Sequence, residues 1–363
     1  MYLYRWRSSP QAGYRLKPPL ATKPSGQSTY NRSSEVSPNL TIRTFLRFFL
    51  HAQLLPVLES GEETLVGGQA VMEGVMMRAP HSYCVAVRKA TGEIVTEELA
   101  IPRLSERYPW AKYPIIRGLV TLGHAMALGM KALKFSTNAA LDDGSSEKPT
   151  ELPAWVTSVQ LIFTLLFFVV VYKFIPLKLA TYASNWAPSL KGQIAFNAVD
   201  GLIRLAIFVL FLFGISRSKD IRRMFQFHGA EHKVVFNYES GKPVTVENAQ
   251  QFVTWHPRCG TSFLFVIMLI SMLVYMVVPA PSFTAKMVER IAFLPLIIGL
   301  SYELIRFAAK RRGSFLALLT APGLWTQRIT TQPPSDEQAA VAIRALEGAM
   351  ALEAKQGGEL VIA

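Results

Sequence analysis

Hydrophobic residues in this chain gather into four long runs. They occupy 155–175, 194–215, 262–278 and 291–309. A bilayer core of about 30 Å needs roughly 20 apolar residues of helix, and each run approaches that length. The third is the shortest, but it is uncharged throughout and stops at Pro279. The fourth carries Glu303 and Arg306. The pattern predicts a mainly α, polytopic membrane protein with four transmembrane helices and a small cytosolic α+β region at its amino end.

Between and around the runs the pattern changes. Residues 66–78 read as a Gly-punctuated loop. Alternation over 83–89 and 93–99 predicts two strands joined by a turn at Thr91-Gly92. Residues 115–135 place Ile116, Leu119, Leu122, Met126 and Met130 at helical spacing. That helix is too polar and too Gly-interrupted for a span, so it is expected to lie on the membrane or pack against the bundle. A linker follows at 142–149. Pro322-Gly323-Leu324-Trp325 predicts a turn at the membrane interface. Ser335 with Gln338 forms a capping-box pattern opening a helix to about residue 355. The organisation expected is a basic extension (1–60), a cytosolic region (61–150), a membrane domain with a cytosolic 216–261 loop (151–312) and a cytosolic tail (313–363).

Composition agrees. Half of the 363 residues are hydrophobic and 17 % are charged, against roughly 25 % charged in a soluble domain. The net charge of +13 would suit nucleic acid in a soluble protein, but here the basic residues border apolar runs, and no RNA-binding or helix-turn-helix signature accompanies them. A bilayer is the partner this charge fits; nucleic acid is not expected. Arg217, Lys219, Arg222, Arg223, Lys233, Lys242 and Arg258 lie between runs two and three, and Lys310, Arg311 and Arg312 follow run four. Runs one and two are joined by a loop with only Lys178 and Lys191. The balance puts both termini and the 216–261 loop in the cytosol, with Lys286 and Arg290 in mild dissent.

The first 60 residues differ again, with eight Lys/Arg before residue 50 against Glu35 alone. A disordered basic tail is one reading, and an organelle-targeting segment is the other. Residues 41–58 add a candidate amphipathic surface helix. Cys84 and Cys259 offer no Cys-x-x-Cys pair and fit a reducing compartment.

The chemistry concentrates at His228-Gly229-Ala230-Glu231-His232. Two histidines four apart share one helix face and can bind one metal ion, with Glu231 beside them to activate water. The order H-x-x-E-H is the inverted zincin pattern, whose third ligand is a distant glutamate. The bland alternative is a solvated histidine pair on a basic helix. Three residues compete to complete the sphere. Glu303 is an ionisable group in an apolar run and hence a functional candidate, with Arg306 as a purely structural partner. His256 and Glu239 are the others, and Cys259 is either a thiolate ligand or a small buried residue. Glu73 and Arg78 flank the Met-rich loop, as reaching groups or as a local ion pair. Asp200 and Arg204 read as a neutralised structural pair.

Taken together, GGQAVMEGVMMR at 67–78, HGAEHK at 228–233, HPRCGTSF at 256–263, SYE at 301–303 and PGL at 322–324 resemble the YqhQ-like family. The resemblance covers residues 65 to 345. It implies a bacterial membrane protein of unknown function, described as a metal-dependent enzyme, and supplies no substrate. The leading expectation is a zinc-dependent integral-membrane hydrolase at the cytosolic face of the bacterial inner membrane. His228 and His232 would be ligands, Glu303 or His256 the third, and Glu231 the water-activating group. A peptide bond is the target only by motif analogy. The alternatives are a non-catalytic, metal-stabilised scaffold or regulator, a homo-oligomer included, and a transporter. An organelle membrane replaces the bacterial one if the amino-terminal extension is a targeting segment.

Overall fold

A computed structural model describes residues 66–102, 108–142, 154–256, 259–310 and 315–355, without the side chains of 154, 157, 308–310 and 315–321. All of these fall within the unit Leu50–Ala363. The basic extension, the candidate surface helix at 41–58 and most of the 142–149 linker lie outside the described residues.

The amino-terminal region is a four-stranded antiparallel meander. It comprises β1 (Gly67–Val71), β2 (Gly74–Arg78), β3 (Ser82–Arg88) and β4 (Ile94–Ala100), in that order. The two strands expected at 83–89 and 93–99 are β3 and β4. The Gly-punctuated loop expected at 66–78 is instead the β1–β2 hairpin, turning at Met72-Glu73 with Glu73 at φ +53°. Strand geometry sends successive side chains to opposite faces. Accordingly Val75, Met77, Cys84 and Ala86 face one core, while Met76, Tyr83, Val85 and Val87 face another.

Each core is closed by helices. Against the second lies α1 (Ile116–Leu141), through Leu128, Ala132 and Ala139. The helix expected at 115–135 therefore covers the sheet. It also runs along the later helix Leu294–Lys310, where Arg117 forms a two-pronged ion pair with Glu303. Glu303 also accepts from the Ile115 N–H at 3.4 Å.

Long apolar helices follow. α2 (Ala154–Val169) passes through a π-helical turn (Val170–Phe174) into α3 (Ile175–Trp186). α4 (Gln193–Ile215) returns alongside α3. α5 (Lys219–Glu239) and the short α6 (Val246–Gln250) leave the apolar region, and α7 (Gly260–Val277) re-enters it. α8 (Phe283–Ala292), α9 (Leu294–Lys310), α10 (Phe315–Thr330) and α11 (Asp336–Lys355) complete the chain.

Among the described residues, three helices are long and apolar enough to cross a membrane: the α2–α3 unit over Ser158–Trp186, then α4 and α7. The fourth run, 291–309, is divided at Phe293 between α8 and α9. The expected turn at 322–325 lies inside α10, which carries Pro322 mid-helix and packs along α7.

The first core is closed by α5 and α11 against the sheet. α5 supplies Phe227, Ala230, Val234 and Val235, and α11 supplies Val341, Ala342, Ala345, Leu346 and Ala349. The expected capping box is formed: Gln338 Oε1 accepts the Ser335 N–H, and Ser335 Oγ accepts the Gln338 N–H. At the other end of α11, buried Glu353 accepts from the His81 N–H at 2.8 Å and from Ser82 Oγ at 2.8 Å, and its Oε1 meets His81 Nδ1 at 2.9 Å. Glu353→Ala strips three partners at once. It is expected to cost about 2–4 kcal/mol, read by denaturant unfolding of the detergent-purified chain. Wild-type stability in that variant would mean that α11 is not anchored there.

Candidate metal centre

His228 and His232 sit mid-way along α5, one turn apart, with ring centroids separated by 4.4 Å. The surrounding backbone fixes both rings. His228 Nδ1 donates to the carbonyl of Thr330, at the end of α10, at 2.8 Å. His232 Nδ1 donates in the same way to the carbonyl of Thr254, in the segment between α6 and α7. A carbonyl only accepts, so both imidazoles carry a proton on Nδ1 and turn Nε2 inward. Burial holds His232 below the ordinary histidine range, which keeps it neutral.

The third group is Cys259, the residue before α7. Its Sγ lies 3.2 Å from His228 Nε2, and donor atoms of His228, His232 and Cys259 all fall within 4.8 Å of one another. Zinc–nitrogen and zinc–sulfur bonds of about 2.0–2.3 Å in a tetrahedron place N and S about 3.5 Å apart. The trio fits a tetrahedral metal ion after shifts of an ångström or so. Its soft and borderline donors suit zinc.

Glu231 stands on the adjacent face of the helix, buried, with Oε2 3.4 Å from His232 Nε2. It presses on β1: a Cβ added to Gly68 would meet Glu231 Cγ at 2.6 Å. On the opposite side, a Cβ at Gly229 would meet the Gln332 carbonyl at 2.1 Å. The motif needs its glycine so that the chain beyond α10 can lie against α5, where the Gln332 N–H reaches the Phe225 carbonyl.

The other candidates take different places. His256 is buried, its Nε2 3.5 Å from Glu239 Oε2 and its ring 5.6 Å from that of His232. Glu239 is thus a carboxylate partner of His256. Glu303 pairs with Arg117 of α1, so the structural pair it forms is with that arginine and not with Arg306. Neither Glu303 nor His256 belongs to the converging trio, whose third member is Cys259. Glu73 pairs across elements with Arg223 of α5, at 2.6 Å in one of two hydrogen bonds. Arg78 stands opposite Tyr83 in the β2–β3 register. Pro257 and Arg258 lie outside the described residues.

One residue without any motif signal holds this arrangement together. Gln327 of α10 is fully buried, accepts the His256 N–H at 2.7 Å, and donates to the His256 carbonyl at 2.8 Å and to Ser262 Oγ at 2.9 Å. It thereby clamps the chain on both sides of Cys259. Thr331 reaches Thr254 Oγ1 at 3.2 Å. All three donors are therefore braced from the last turn of α10.

The chain's two cysteines give a direct check. Burial pushes the Cys84 thiol up to about 12, whereas Cys259 is partly exposed. In metal-free protein, maleimide should label Cys259 and spare Cys84. Stoichiometric zinc should slow that labelling by about tenfold or more, since a ligated thiolate is withheld from the reagent. An unchanged rate would remove Cys259 from the site.

The family model for a protein of unknown function, DUF1385, matches residues 113–352, which contain the whole trio. A Bacillus subtilis (strain 168) protein called only the uncharacterized protein YqhQ is 34 % identical over 298 residues, or 79 % of this chain and 93 % of that protein. No solved structure matches. The chain belongs to the YqhQ-like, DUF1385 family.

Proposed function

We propose that this protein is a zinc-dependent hydrolase of the membrane surface, with His228, His232 and Cys259 as its metal ligands. The observation that carries the reading is the pair of Nδ1-to-carbonyl hydrogen bonds, which aim two Nε2 atoms at one thiol. Three protein ligands and a free fourth position are the arrangement of catalytic zinc. A bound divalent ion supplies Lewis acidity, polarising a substrate carbonyl and acidifying water at neutral pH. Glu231 Oε2 accepts the proton of the attacking water and returns it to the leaving group. His228 is the least buried member of the trio, so a substrate would approach from its side. A peptide bond remains the target by analogy with H-x-x-E-H alone.

The membrane placement rests on the three apolar helices and on Lys/Arg asymmetry, which favours a cytosolic position for α5 and its neighbours. Arg290, one of the two dissenting residues, is fully buried in the bundle, so it is no loop charge. What supports a fourth crossing is connectivity. α7 begins at Gly260 and ends at Val277, yet Gln327 bonds to Ser262 at the starting end. The intervening chain has to travel back. Seventeen residues of α9 rise about 25 Å, much as the eighteen of α7 rise about 27 Å. Its Glu303 is neutralised by Arg117.

One observation favours a second reading. Glu231 is as buried as a closed-site ligand, and as the fourth donor it would make a structural centre clamping α5 to α7 and β1. Glu231→Gln separates the two. For the hydrolase, the zinc-loaded variant keeps its metal and loses about 10²–10⁴-fold in turnover of a fluorogenic peptide library. Loss of the metal itself from the variant supports the structural centre, and full turnover would end the role given to Glu231.

A further inference from the structure

A second polar cluster lies inside the apolar helices, away from the cysteine and histidines. Asp200 and Arg204 of α4 form its centre, at 2.6 Å. Asp200 Oδ2 also meets Arg290 Nη2 of α8 at 3.0 Å. Arg204 donates to Ser271 Oγ of α7 at 2.8 Å and to the Tyr172 carbonyl, in the π-helical turn, at 3.1 Å. Arg290 donates to Asn197 Oδ1 at 3.0 Å. The expected neutral pair is therefore only half of the assembly.

Its charges do not balance. Around the buried Tyr275 ring stand the Arg290 guanidinium at 4.9 Å, the Arg204 guanidinium at 5.5 Å and the Lys173 ammonium at 5.9 Å. Against these three cations the described residues offer Asp200, bonded to both arginines, and Glu289, whose nearer oxygen is 3.9 Å from Arg290. Counted as formal charges, these groups leave one positive charge over. Arg290, with no exposure to solvent, has an Nε–H without an acceptor among the described residues. Two oxygens, Asp200 Oδ1 and Glu289 Oε1, lack donors. An uncompensated buried charge costs more than an unmatched acceptor. The charge decides what the cluster takes. The cluster also sits at the π-helical turn between α2 and α3, which contains Lys173. Single π-helical turns recur at functional sites.

We infer that Lys173, Arg204 and Arg290 form an intramembrane binding site for a small monovalent anion, separate from the cysteine–histidine centre. A single charge matches the imbalance. Lys173 and the Arg290 Nε–H supply donors that the protein leaves unused. Tyr275 and Ser271 keep the two arginines in place, and Lys173, only partly buried, provides the side of entry. This inference stands whether or not the other centre binds metal.

Chloride is the probe. The full chain, purified in detergent and exchanged into gluconate, is titrated with chloride at constant ionic strength while its thermal unfolding midpoint is followed. Binding to the folded state alone raises that midpoint with concentration by mass action. The expected result is a saturable rise of several degrees in wild type, an affinity at least about tenfold weaker in Lys173→Met, and recovery in Lys173→Arg. Among the described residues Lys173 makes a ring contact with Tyr275 and no hydrogen bond, so its variants should fold. A wild type that responds to chloride no more than to gluconate overturns the inference, and so does a Lys173→Met variant with wild-type affinity.

Discussion

Two backbone carbonyls set the geometry of the candidate metal centre. Thr254 and Thr330 each take the Nδ1 proton of one histidine, and that choice decides which nitrogen of each ring faces inward. Neither bond contributes more than about 1 kcal/mol to stability on its own account. Their weight lies in orientation, because a ligating imidazole works only in the tautomer and ring plane that its outer hydrogen bond imposes. The carbonyls come from segments far apart in sequence, so the site exists only when α10 and the chain before α7 are both docked on α5. Gln327 joins those two segments through the His256 backbone.

The rest of the fold serves that docking. α5 has one face in the sheet's core, shared with α11, and another turned to α10. The sheet supports α5 from behind, and Gly68 lets β1 approach Glu231 closely. Cys259 caps the start of α7, so the centre lies at the end of one apolar helix. That position makes metal chemistry at a membrane surface a coherent reading. The cluster around Asp200 and Arg290 occupies the interior of the same helices, joining α4, α7 and α8.

Much of this was legible in the sequence, for physical reasons. Three apolar runs exceed what a soluble core needs, so α2–α3, α4 and α7 announced themselves. Alternation exposed β3 and β4, and Ser335 with Gln338 marked the start of α11. The β1–β2 hairpin was hidden because Gly67, Gly68 and Gly74 dilute the alternation, the last packed close to the Ala86 carbonyl. α10 was hidden because Pro322-Gly323 reads locally as a turn, while packing of Gly323 against Ser262 keeps the segment helical. The histidine pair followed from four-residue spacing. Cys259 stood among the candidates, but nothing in spacing could rank it above Glu303 or His256, since ranking them needs the tertiary path. Gln327 and the two carbonyls carried no signal, because a backbone acceptor looks the same at every residue.

The most direct test of the central claim is metal content with coordination. Full-length protein, purified in detergent and loaded with zinc, is compared with its His228→Ala/His232→Ala double variant by elemental analysis, and the wild type by X-ray absorption at the zinc edge. The account predicts about one zinc per chain in wild type, near none in the variant, and a first shell of two nitrogens and one sulfur with room for a light-atom ligand. Equal zinc in both proteins, or a bound zinc without sulfur, would contradict it.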